Sequence, residues 1–533
     1  MANYVIVGAG SAGCVLAARL TEDPALQVTL IEAGGRDSAR EIYIPAAQFQ
    51  LRKSQYDWDY MSQPEPGLDG RCIYLPRGKT LGGSSSINAM IYIRGHRVDY
   101  NTWAADGAKG WSYNEVLPYF RRAESNERGE DQFHGKLGPL SVCEGRSPNP
   151  LMDAFVQAGV EAGYPANLDF NGESQAGVGL FQCTQRNGMR CSTASAYLNP
   201  VMSRANLKVI TDALTTRILF DGNRASGVET ARNGSLEKIH ADTEVILAAG
   251  SYNSPQLLML SGIGPAADLA ALKISVRQDL PVGIGLQDHP MAYMSWYTDT
   301  ETLMTAGTAE NIALLQREGR GPMTSNGAEA GGFFRTRPGL ETPDVQFHAL
   351  PVMRHEQGLS AAAAHAVTFG PCVLKPGSRG KISLRTANPW SKPRIIRNYF
   401  AAPEDRRCMV EGIRIGLEIA AQPAMRAHIK GPHIVPKSGS STDVWEYIQR
   451  YTQTVYHPTS TCAIGPVVDN DLKVHGIDGL RVVDASVMPS VVRGNTNAPT
   501  IMIAERATDV IRGLSKGLHP ANVGPAASLG DAY

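Results

Sequence analysis

The residues with the clearest chemical spacing are three glycines and a glutamate near the start of the chain. Gly8, Gly10 and Gly13 fit the pattern G-x-G-x-x-G. In that pattern the first glycine permits a tight turn, the second lets the backbone approach a diphosphate, and the third lets a helix pack closely on a strand. The free amides at the start of the helix then face the phosphates. Glu32 can accept hydrogen bonds from ribose hydroxyls and would repel a 2′-phosphate, which disfavours NADP.

The segments around these glycines predict the elements that must position them. Residues 4–7 form an apolar run, 11–20 have helical spacing, and 28–31 form a second apolar run. The helix stops before Asp23-Pro24, because a proline disfavours helical backbone in the residue that precedes it. A strand–helix–strand order predicts parallel strands joined by a right-handed crossover. The segment therefore predicts a dinucleotide site, but it does not separate FAD from NAD.

Periodic segments further along the chain predict a mixed α/β protein. The predicted strands are 207–211, 216–220, 225–230, 244–249 and 480–483, and the predicted helices are 113–123, 405–420 and 500–514. Region 36–150 is rich in Gly, Pro, Arg and Asp, so loops and short helices are expected there. An apolar run at 87–93 predicts a buried strand or helix behind a Gly/Ser-rich loop, although that loop could also be a flexible surface loop.

Length and charge limit the classes of function. A chain of 533 residues exceeds one ordinary core, so two or more domains are expected. Lys+Arg and Asp+Glu are both 51, which gives a net charge of 0. Without a global basic field, nucleic acid is not an expected partner, and a small uncharged or zwitterionic substrate is more natural.

The cysteines, histidines and apolar runs suggest a compartment and exclude some chemistries. The eight cysteines are scattered, which favours reduced thiols, with a Cys183–Cys191 disulfide as the alternative. No HExxH is present and His289, His348 and His457 are far apart in sequence, so no metal is expected. With no recognisable signal peptide or membrane-spanning run, we expect a cytoplasmic protein. Peripheral membrane contact and the oligomeric state stay open.

Three long motifs carry a family resemblance. They are Gly78-Lys79-Thr80-Leu81-Gly82-Gly83-Ser84-Ser85-Ser86-Ile87-Asn88 with its continuation to Gly95, the block 250–264, and Val483-Asp484-Ala485-Ser486 with 494–500. In this order they resemble the signatures of the glucose–methanol–choline (GMC) oxidoreductases. The resemblance runs from residue 4 to about 512. The chain looks most similar to bacterial dehydrogenases that act on aliphatic alcohols, polyethylene glycols or L-sorbose.

The resemblance implies an α/β fold with two domains. A Rossmann-like FAD-binding domain would be discontinuous, with segments 1–150, 195–290 and 466–513. An α+β substrate-binding domain would comprise 151–194 and 291–465. Residues 514–533 would form a flexible tail, in agreement with their Gly, Ala, Ser and Pro content.

The resemblance also implies the site residues. His457 matches the family's catalytic histidine, and histidine suits a general base at neutral pH. Asn495 matches the second member of the catalytic pair, whose amide can donate to a developing alkoxide. The implied contacts of FAD are Gly8, Gly10, Ser11, Ala12, Gly13, Glu32, Ala33, Leu81, Gly82, Ser85, Asn88, Ala89, Ile91, Thr215, Ala249, Asp484, Ala485, Asn497 and Thr500.

Two positions depart from the family pattern. Some members attach FAD covalently through a histidine just before the motif asparagine, where this chain has Ile87, so we predict a non-covalent flavin. The segment 280–289 is one residue shorter than the usual motif and has Gly285 in place of an asparagine, although Gln287-Asp288-His289 is kept. The geometry of that turn is therefore in doubt.

The resemblance implies oxidation of a primary alcohol, such as an aliphatic alcohol, a polyglycol or a polyol, to the aldehyde. Hydride would pass to flavin N5 and the electrons to a quinone-like acceptor. The alternatives are an oxygen-using alcohol oxidase or a choline dehydrogenase, and, from a different class, a lyase or photodecarboxylase on the same fold. Region 291–370 predicts an apolar pocket, or else ordinary core, from Met291, Met294, Trp296, Met304, Phe333, Phe334, Phe347, Met353 and Phe369.

Overall fold

The first strand of the chain lies in the middle of a five-stranded parallel sheet. A computed structural model describes residues 2–354 and 356–514, so the predicted tail beyond Leu514 lies outside the described residues. The order of the strands across this sheet is Leu207–Ile210, Leu26–Ile31, Ala2–Val7, Glu244–Leu247 and Leu480–Val482. All four pairings are parallel. Strands from both ends and the middle of the chain therefore meet in one sheet, as the predicted α/β fold requires.

Close packing at the first glycines fixes the helix on this sheet. The helix Ser11–Leu20 crosses between the first two strands. A Cβ on Gly13 would lie 1.9 Å from the carbonyl oxygen of Gly8, so only glycine fits there. The C-terminal helix Asn497–Ile511 packs on the same helix, and buried Glu505 accepts hydrogen bonds from Arg19 and Arg122. The first helix and the last described helix are thereby joined beside the sheet.

An eight-stranded antiparallel sheet forms the second layer. Its main path is Gly431–Ile434, Met294–Tyr297, Ala366–Val373, Val345–Leu350, Ala330–Phe334 and Gly177–Leu180, with Pro290–Met291 and Gln453–Thr454 paired at its side. The helices Pro150–Glu161 and Pro403–Ala421 pack against it. Most of these strands come from the segments predicted to bind substrate, but Pro290–Met291 spans a predicted boundary, and the domain limits stay a prediction.

Smaller elements surround the two sheets. The remaining helices are Arg40–Tyr43, Arg97–Ala105, Tyr113–Ala123, Gly250–Leu260, Ala266–Ala271, Ala309–Glu318, Pro423–Arg426 and Ser441–Tyr451. Two three-stranded sheets comprise Leu214–Asp221, Arg224–Arg232 and Ser235–His240, and Ile284–Leu286, Gly380–Ser383 and Arg394–Ile396. Two-stranded pairs are Tyr60–Met61 with Tyr74–Leu75, Glu124–Asn126 with Leu140–Val142, Gln185–Arg186 with Met189–Arg190, and Ile263–Gly264 with Gln278–Asp279.

One prediction of local structure was wrong, and another was correct in kind but not in its limits. The run 87–93 forms neither strand nor helix: a 3-10 turn at Gly83–Ser86 is followed by loop, and Met90 has a φ of +56°. Its isoleucines Ile91 and Ile93 are nevertheless buried, so burial of a loop produced the apolar run. The terminal helix starts at Asn497 rather than 500, because Pro499 is tolerated in a first helical turn.

Two further expectations concern the state of the cysteine thiols and the presence of membrane-spanning helices. All eight cysteines are free in the structure, including Cys183 and Cys191, so the alternative disulfide is not formed. Among the described residues, none of the helices has the length and apolar character needed to cross a bilayer.

Candidate active site

A cavity of about 520 Å³ lies at the carboxyl ends of the parallel strands. Its wall includes Glu32 after the second strand, Ala249 after the fourth and Asp484 after the fifth. Ligands of open α/β sheets bind at this edge, where loops from neighbouring strands converge. The cavity then continues to the antiparallel sheet, where His348 and Leu350 line it.

One end of the cavity suits a diphosphate. Gly10 caps the first helix without a side-chain hydrogen bond, so the first amides of the helix are available to an anion. Gly8 has a φ of +99°, as the tight turn out of the strand requires. Gly83 approaches the same helix start so closely that a Cβ there would lie 2.6 Å from the Cα of Gly10. Two glycine loops thus form one wall with exposed backbone.

Polar groups beside the diphosphate region suit the nucleoside. The carboxylate of Glu32 accepts hydrogen bonds of 2.9 Å from the backbone amides of Ala9 and Gly34. Burial raises the pKa of Glu32 to about 7, against the lowering effect of these amides. The hydroxyl of Thr215 is buried and has no hydrogen-bond partner in the structure, although its residue lines the cavity. Buried hydroxyls without a hydrogen-bond partner are rare in folded proteins. The unpaired hydroxyl of Thr215 is therefore consistent with a site that binds a ligand.

Most residues predicted to touch the cofactor line this cavity. They are Gly8, Gly10, Ser11, Ala12, Glu32, Ala33, Asn88, Ala89, Ile91, Thr215, Ala249, Asp484, Ala485, Asn497 and Thr500. Four of the predicted cofactor contacts do not line the cavity, and these are Gly13, Leu81, Gly82 and Ser85. The amide of Gly82 donates to the carbonyl of Ala9, and the hydroxyl of Ser85 donates to the carbonyl of Gly82. The neighbours Gly83, Ser84 and Ile87 face the cavity instead.

Asp484 joins two of the strand-end loops. Its Oδ2 accepts from the amide of Gly250 at 2.9 Å and from the hydroxyl of Ser254 at 2.6 Å. Its Oδ1 accepts from the amide of Ser486 at 2.8 Å. This carboxylate therefore holds the start of the helix Gly250–Leu260 against the last strand, and it shapes the cavity wall as well as lining it.

His457 and Asn495 meet at the other end of the cavity. Asn495 Nδ2 lies 3.3 Å from His457 Nε2, and both residues line the cavity. On its other side, His457 Nδ1 lies 3.0 Å from His289 Nδ1. The carboxylate of Asp288 accepts from the backbone amides of His457 and His289 at 2.8 and 2.9 Å. The two residues of the predicted catalytic pair are therefore in contact, and Asp288 and His289 hold His457 on its other side.

The hydrogen bonds of His289 determine where the protons of both rings lie. Its Nε2 is 3.0 Å from the carbonyl oxygen of Leu374, which can only accept, so Nε2 carries the proton. In the neutral ring Nδ1 of His289 is then an acceptor, and His457 Nδ1 must donate to it. The lone pair of neutral His457 is therefore on Nε2, which faces Asn495 and the cavity.

The surroundings keep His457 neutral. Burial lowers its pKa well below 6.5, and repulsion from Arg77 and from the protonated forms of His289 and His348 lowers it further. Burial also lowers the pKa of His289 to about 4 and that of His348 to about 3. A neutral imidazole with an exposed Nε2 lone pair is the form that a general base requires.

Comparison with known proteins decides the family. The family model described as GMC oxidoreductase matches residues 2–291, and the model for the C-terminal part of the same family matches 376–504. The chain belongs to the GMC oxidoreductases. It is therefore a flavoprotein whose cofactor is FAD and an enzyme that acts on CH–OH donors. The cavity described above fits the cofactor of this family.

Relatives align over nearly the whole chain. Mitochondrial choline dehydrogenase of Mus musculus is 45% identical, with 97% of this chain and 90% of that protein covered. Alcohol dehydrogenase [acceptor] of Pseudomonas putida is 43% identical, with 96% of each covered. A structure from a study of FAD modification in Aspergillus oryzae RIB40 formate oxidase has a TM-score of 0.90 at 26% identity, with 97% of this chain and 99% of that one covered.

In the segment 280–289, where the GMC motif is shortened, the last residues still contact the site around His457. Gly283 has a φ of +81° and its amide donates to the carbonyl of Thr461 at 2.7 Å. Beyond the turn, Asp288 Oδ2 accepts from Arg397 Nε at 2.8 Å and from the hydroxyl of Thr454 at 2.7 Å. In this turn geometry the carboxylate that holds His457 also accepts from two other side chains.

Three residues at this site were missed in the sequence. His289 sets the tautomer of His457, and Gln346 Nε2 donates to Asn495 Oδ1 at 3.1 Å. His348 lines the cavity, and its buried Nδ1 has no hydrogen-bond partner in the structure. The histidines that are separate in sequence thus converge, yet no group of three His, Cys, Asp or Glu within the described part of the chain is arranged to hold a metal.

The predicted apolar pocket was wrong. None of the nine Met, Trp and Phe residues proposed from region 291–370 lines the cavity in the structure. In the strand Val345–Leu350 the even-numbered residues face the site, while Phe347 is fully buried in the core. Successive side chains of a strand point to opposite faces. The cavity is lined instead by neighbours of the proposed residues, such as Tyr293 and His348.

Proposed function

We propose that the protein oxidises a primary alcohol to the aldehyde and passes the electrons to a quinone-like acceptor. The observation that carries this proposal is the pairing of His457 Nε2 with Asn495 Nδ2 in the cavity wall, with the lone pair of the histidine turned inwards. Bound FAD would supply the hydride acceptor.

The two side chains divide the remaining work. His457 Nε2 takes the hydroxyl proton of the alcohol, while its Nδ1–H continues to donate to His289. Asn495 Nδ2 donates to the oxygen as negative charge develops on it. Its amide is already turned the right way, because Gln346 holds the Oδ1 side. His457 is buried and Asn495 is partly buried, and the low local dielectric strengthens the hydrogen bond to the oxygen.

Choline oxidation is the second candidate, since the mouse relative is a choline dehydrogenase. A quaternary ammonium needs free aromatic faces or an anionic group. Among the rings that line the cavity, Phe49, Tyr293 and Tyr456 already have arginine guanidinium groups within 4.9 to 5.8 Å of their centroids. This arrangement favours an alcohol without a permanent positive charge.

Flavin bleaching tests the reaction. The holoenzyme is mixed anaerobically with primary alcohols, polyols and choline, and the flavin absorbance is followed. We expect primary alcohols to bleach it, and His457→Ala to slow bleaching at least about 10²-fold, the scale of a positioned base. Near-normal bleaching in that variant would overturn the assignment of the base.

A second step identifies the acceptor. The reduced enzyme is mixed with oxygen or with a soluble ubiquinone analogue, and reoxidation is timed. Faster reoxidation by the quinone supports a dehydrogenase, and faster reoxidation by oxygen supports the alternative, an oxidase. A light-dependent loss of carbon dioxide, or carbon–carbon cleavage without bleaching, would instead indicate a photodecarboxylase or a lyase.

A further inference from the structure

Two arginines that have no acidic partner among the described side chains lie beside the catalytic histidine. Arg52 and Arg354 both line the cavity, and both contact Tyr456, the residue before His457. Arg354 Nη2 donates to the Tyr456 hydroxyl at 3.3 Å, and the guanidinium of Arg52 lies 5.7 Å from the centre of the Tyr456 ring. Among the described residues, neither arginine forms an ion pair with a carboxylate.

The two guanidinium groups are held in place by aromatic rings rather than by acids. Arg52 lies 4.9 Å from the centre of the Phe49 ring, and Arg354 lies 5.8 Å from the same centre and 5.0 Å from that of Tyr293. A guanidinium that stacks on a ring keeps the hydrogen-bond donors on its edge free. Arg52 uses one donor on the carbonyl of Gln357, and the Nε of Arg354 is buried without a partner.

The acids in the cavity wall are already occupied elsewhere. Asp57 accepts from the backbone amides of Lys53, Asp59 and Arg77 and from the hydroxyl of Tyr74. Asp484 and Glu32 are bonded at the cofactor end, as described above. Burial and the charge of Arg354 lower the pKa of Arg52, but an arginine in a protein stays protonated. Within the part of the chain whose side chains the structure describes, the substrate end of the cavity therefore carries two arginines without a carboxylate partner.

We infer that Arg52 and Arg354 bind an oxyanion on the substrate, so that the preferred substrates are alcohols that also carry a carboxylate or a similar acidic group. This inference rests on the proposed function, because it places the acidic group in the pocket of the reacting alcohol. The guanidinium donors of Arg52 and Arg354 that remain free can make charge-assisted hydrogen bonds to an oxyanion. Such a site would repel cationic alcohols and would bind neutral ones more weakly.

The first experiment measures turnover with a matched substrate series. 6-Hydroxyhexanoate, its methyl ester and 6-amino-1-hexanol differ mainly in the charge of the distant group. We expect kcat/KM for the acid to exceed that for the ester at least about 10-fold, the scale of a charge-assisted hydrogen bond, with the amine slowest. Arg354→Gln and Arg52→Gln should each reduce the ratio of acid to ester, and Arg354→Lys should retain part of it. Arg335→Gln, which changes an exposed arginine outside the cavity, should keep the wild-type ratio.

The second experiment separates this inference from the reaction. Hexanoate, which cannot be oxidised at a hydroxyl, is titrated into the holoenzyme while the flavin spectrum is recorded. We expect saturable binding that weakens at least about 10-fold in Arg354→Gln. Absence of hexanoate binding, or equal kcat/KM for acid and ester, overturns the anion site while alcohol oxidation stands. Hexanoate binding without oxidation of any alcohol would support the anion site and overturn the proposed function.

Discussion

His289 Nδ1 lies 3.0 Å from His457 Nδ1, and the carbonyl of Leu374 on the far side of the His289 ring fixes the direction of the proton between them. His289→Ala should therefore lower the rate of flavin reduction by alcohol. A buried N–H left without its acceptor costs about 1–3 kcal/mol, or about 10- to 100-fold in rate. Stopped-flow reduction under anaerobic conditions measures the effect. His240→Ala, at an exposed strand position, is the control, and an unchanged rate in His289→Ala would contradict the tautomer argument.

The pH dependence of kcat/KM should show an unusually low acid limb. His457 must be neutral to accept a proton, so activity is present above its pKa and is lost as the pH falls through it. Burial and nearby positive charges lower that pKa well below 6.5. We expect kcat/KM for an uncharged alcohol to stay level from pH 8 down to 6.5. Arg77→Gln, which removes one of those charges, should move the acid limb to higher pH, and a wild-type midpoint at or above 6.5 would contradict this assignment.

Gln346 should act only through Asn495. Its amide donates to Asn495 Oδ1 at 3.1 Å, and its side chain is fully buried. Gln346→Met removes the donor at similar volume and should reduce kcat about 10-fold, the rate equivalent of one hydrogen bond. In an Asn495→Ala background the same change should have little further effect, because coupled residues are not additive. Equal effects in both backgrounds would show that Gln346 acts by packing alone.

Local sequence patterns predicted the part of the cavity that binds the cofactor. The part around His457 depends on contacts between residues that are far apart in the sequence. The turn at Gly8, the helix after it and Glu32 lie within one strand–helix–strand unit, so spacing alone indicates them. Gln346 and Asn495 are 149 residues apart, and His289 and His457 are 168 apart. The pairing of Pro290–Met291 with Gln453–Thr454 brings His289 close to His457, and the loop before the helix Asn497–Ile511 brings Asn495 to Gln346. The same alternation along those strands places most residues of the predicted apolar pocket in the core.

The flavin should be held without a covalent bond to Ile87. This residue lines the cavity beside Asn88 and Ala89, but its alkyl side chain has no nucleophilic atom. Acid precipitation of the holoenzyme should release yellow FAD into the supernatant, with a mass equal to that of free FAD. Colour retained in the washed pellet would contradict the prediction.

Glu32 should govern how tightly the cofactor binds. Its carboxylate organises the turn through the amides of Ala9 and Gly34, and it lines the cavity where ribose hydroxyls are expected. Glu32→Ala should weaken FAD binding about 10- to 100-fold, as expected for loss of charge-assisted hydrogen bonds. Quenching of FAD fluorescence by the apoprotein measures the Kd, with Glu22→Ala at the end of the first helix as a control.

The protonation of Glu32 adds a pH dependence to cofactor binding. Burial raises its pKa to about 7 in the cofactor-free protein. Ribose hydroxyls donate best to the ionised form, so FAD affinity should fall as the pH decreases through about 7 and level off above it. Glu32→Gln cannot ionise, so its weaker binding should lose this dependence between pH 6 and 8. A wild-type Kd that is constant over that range would show that the carboxylate does not contact the cofactor in its charged form.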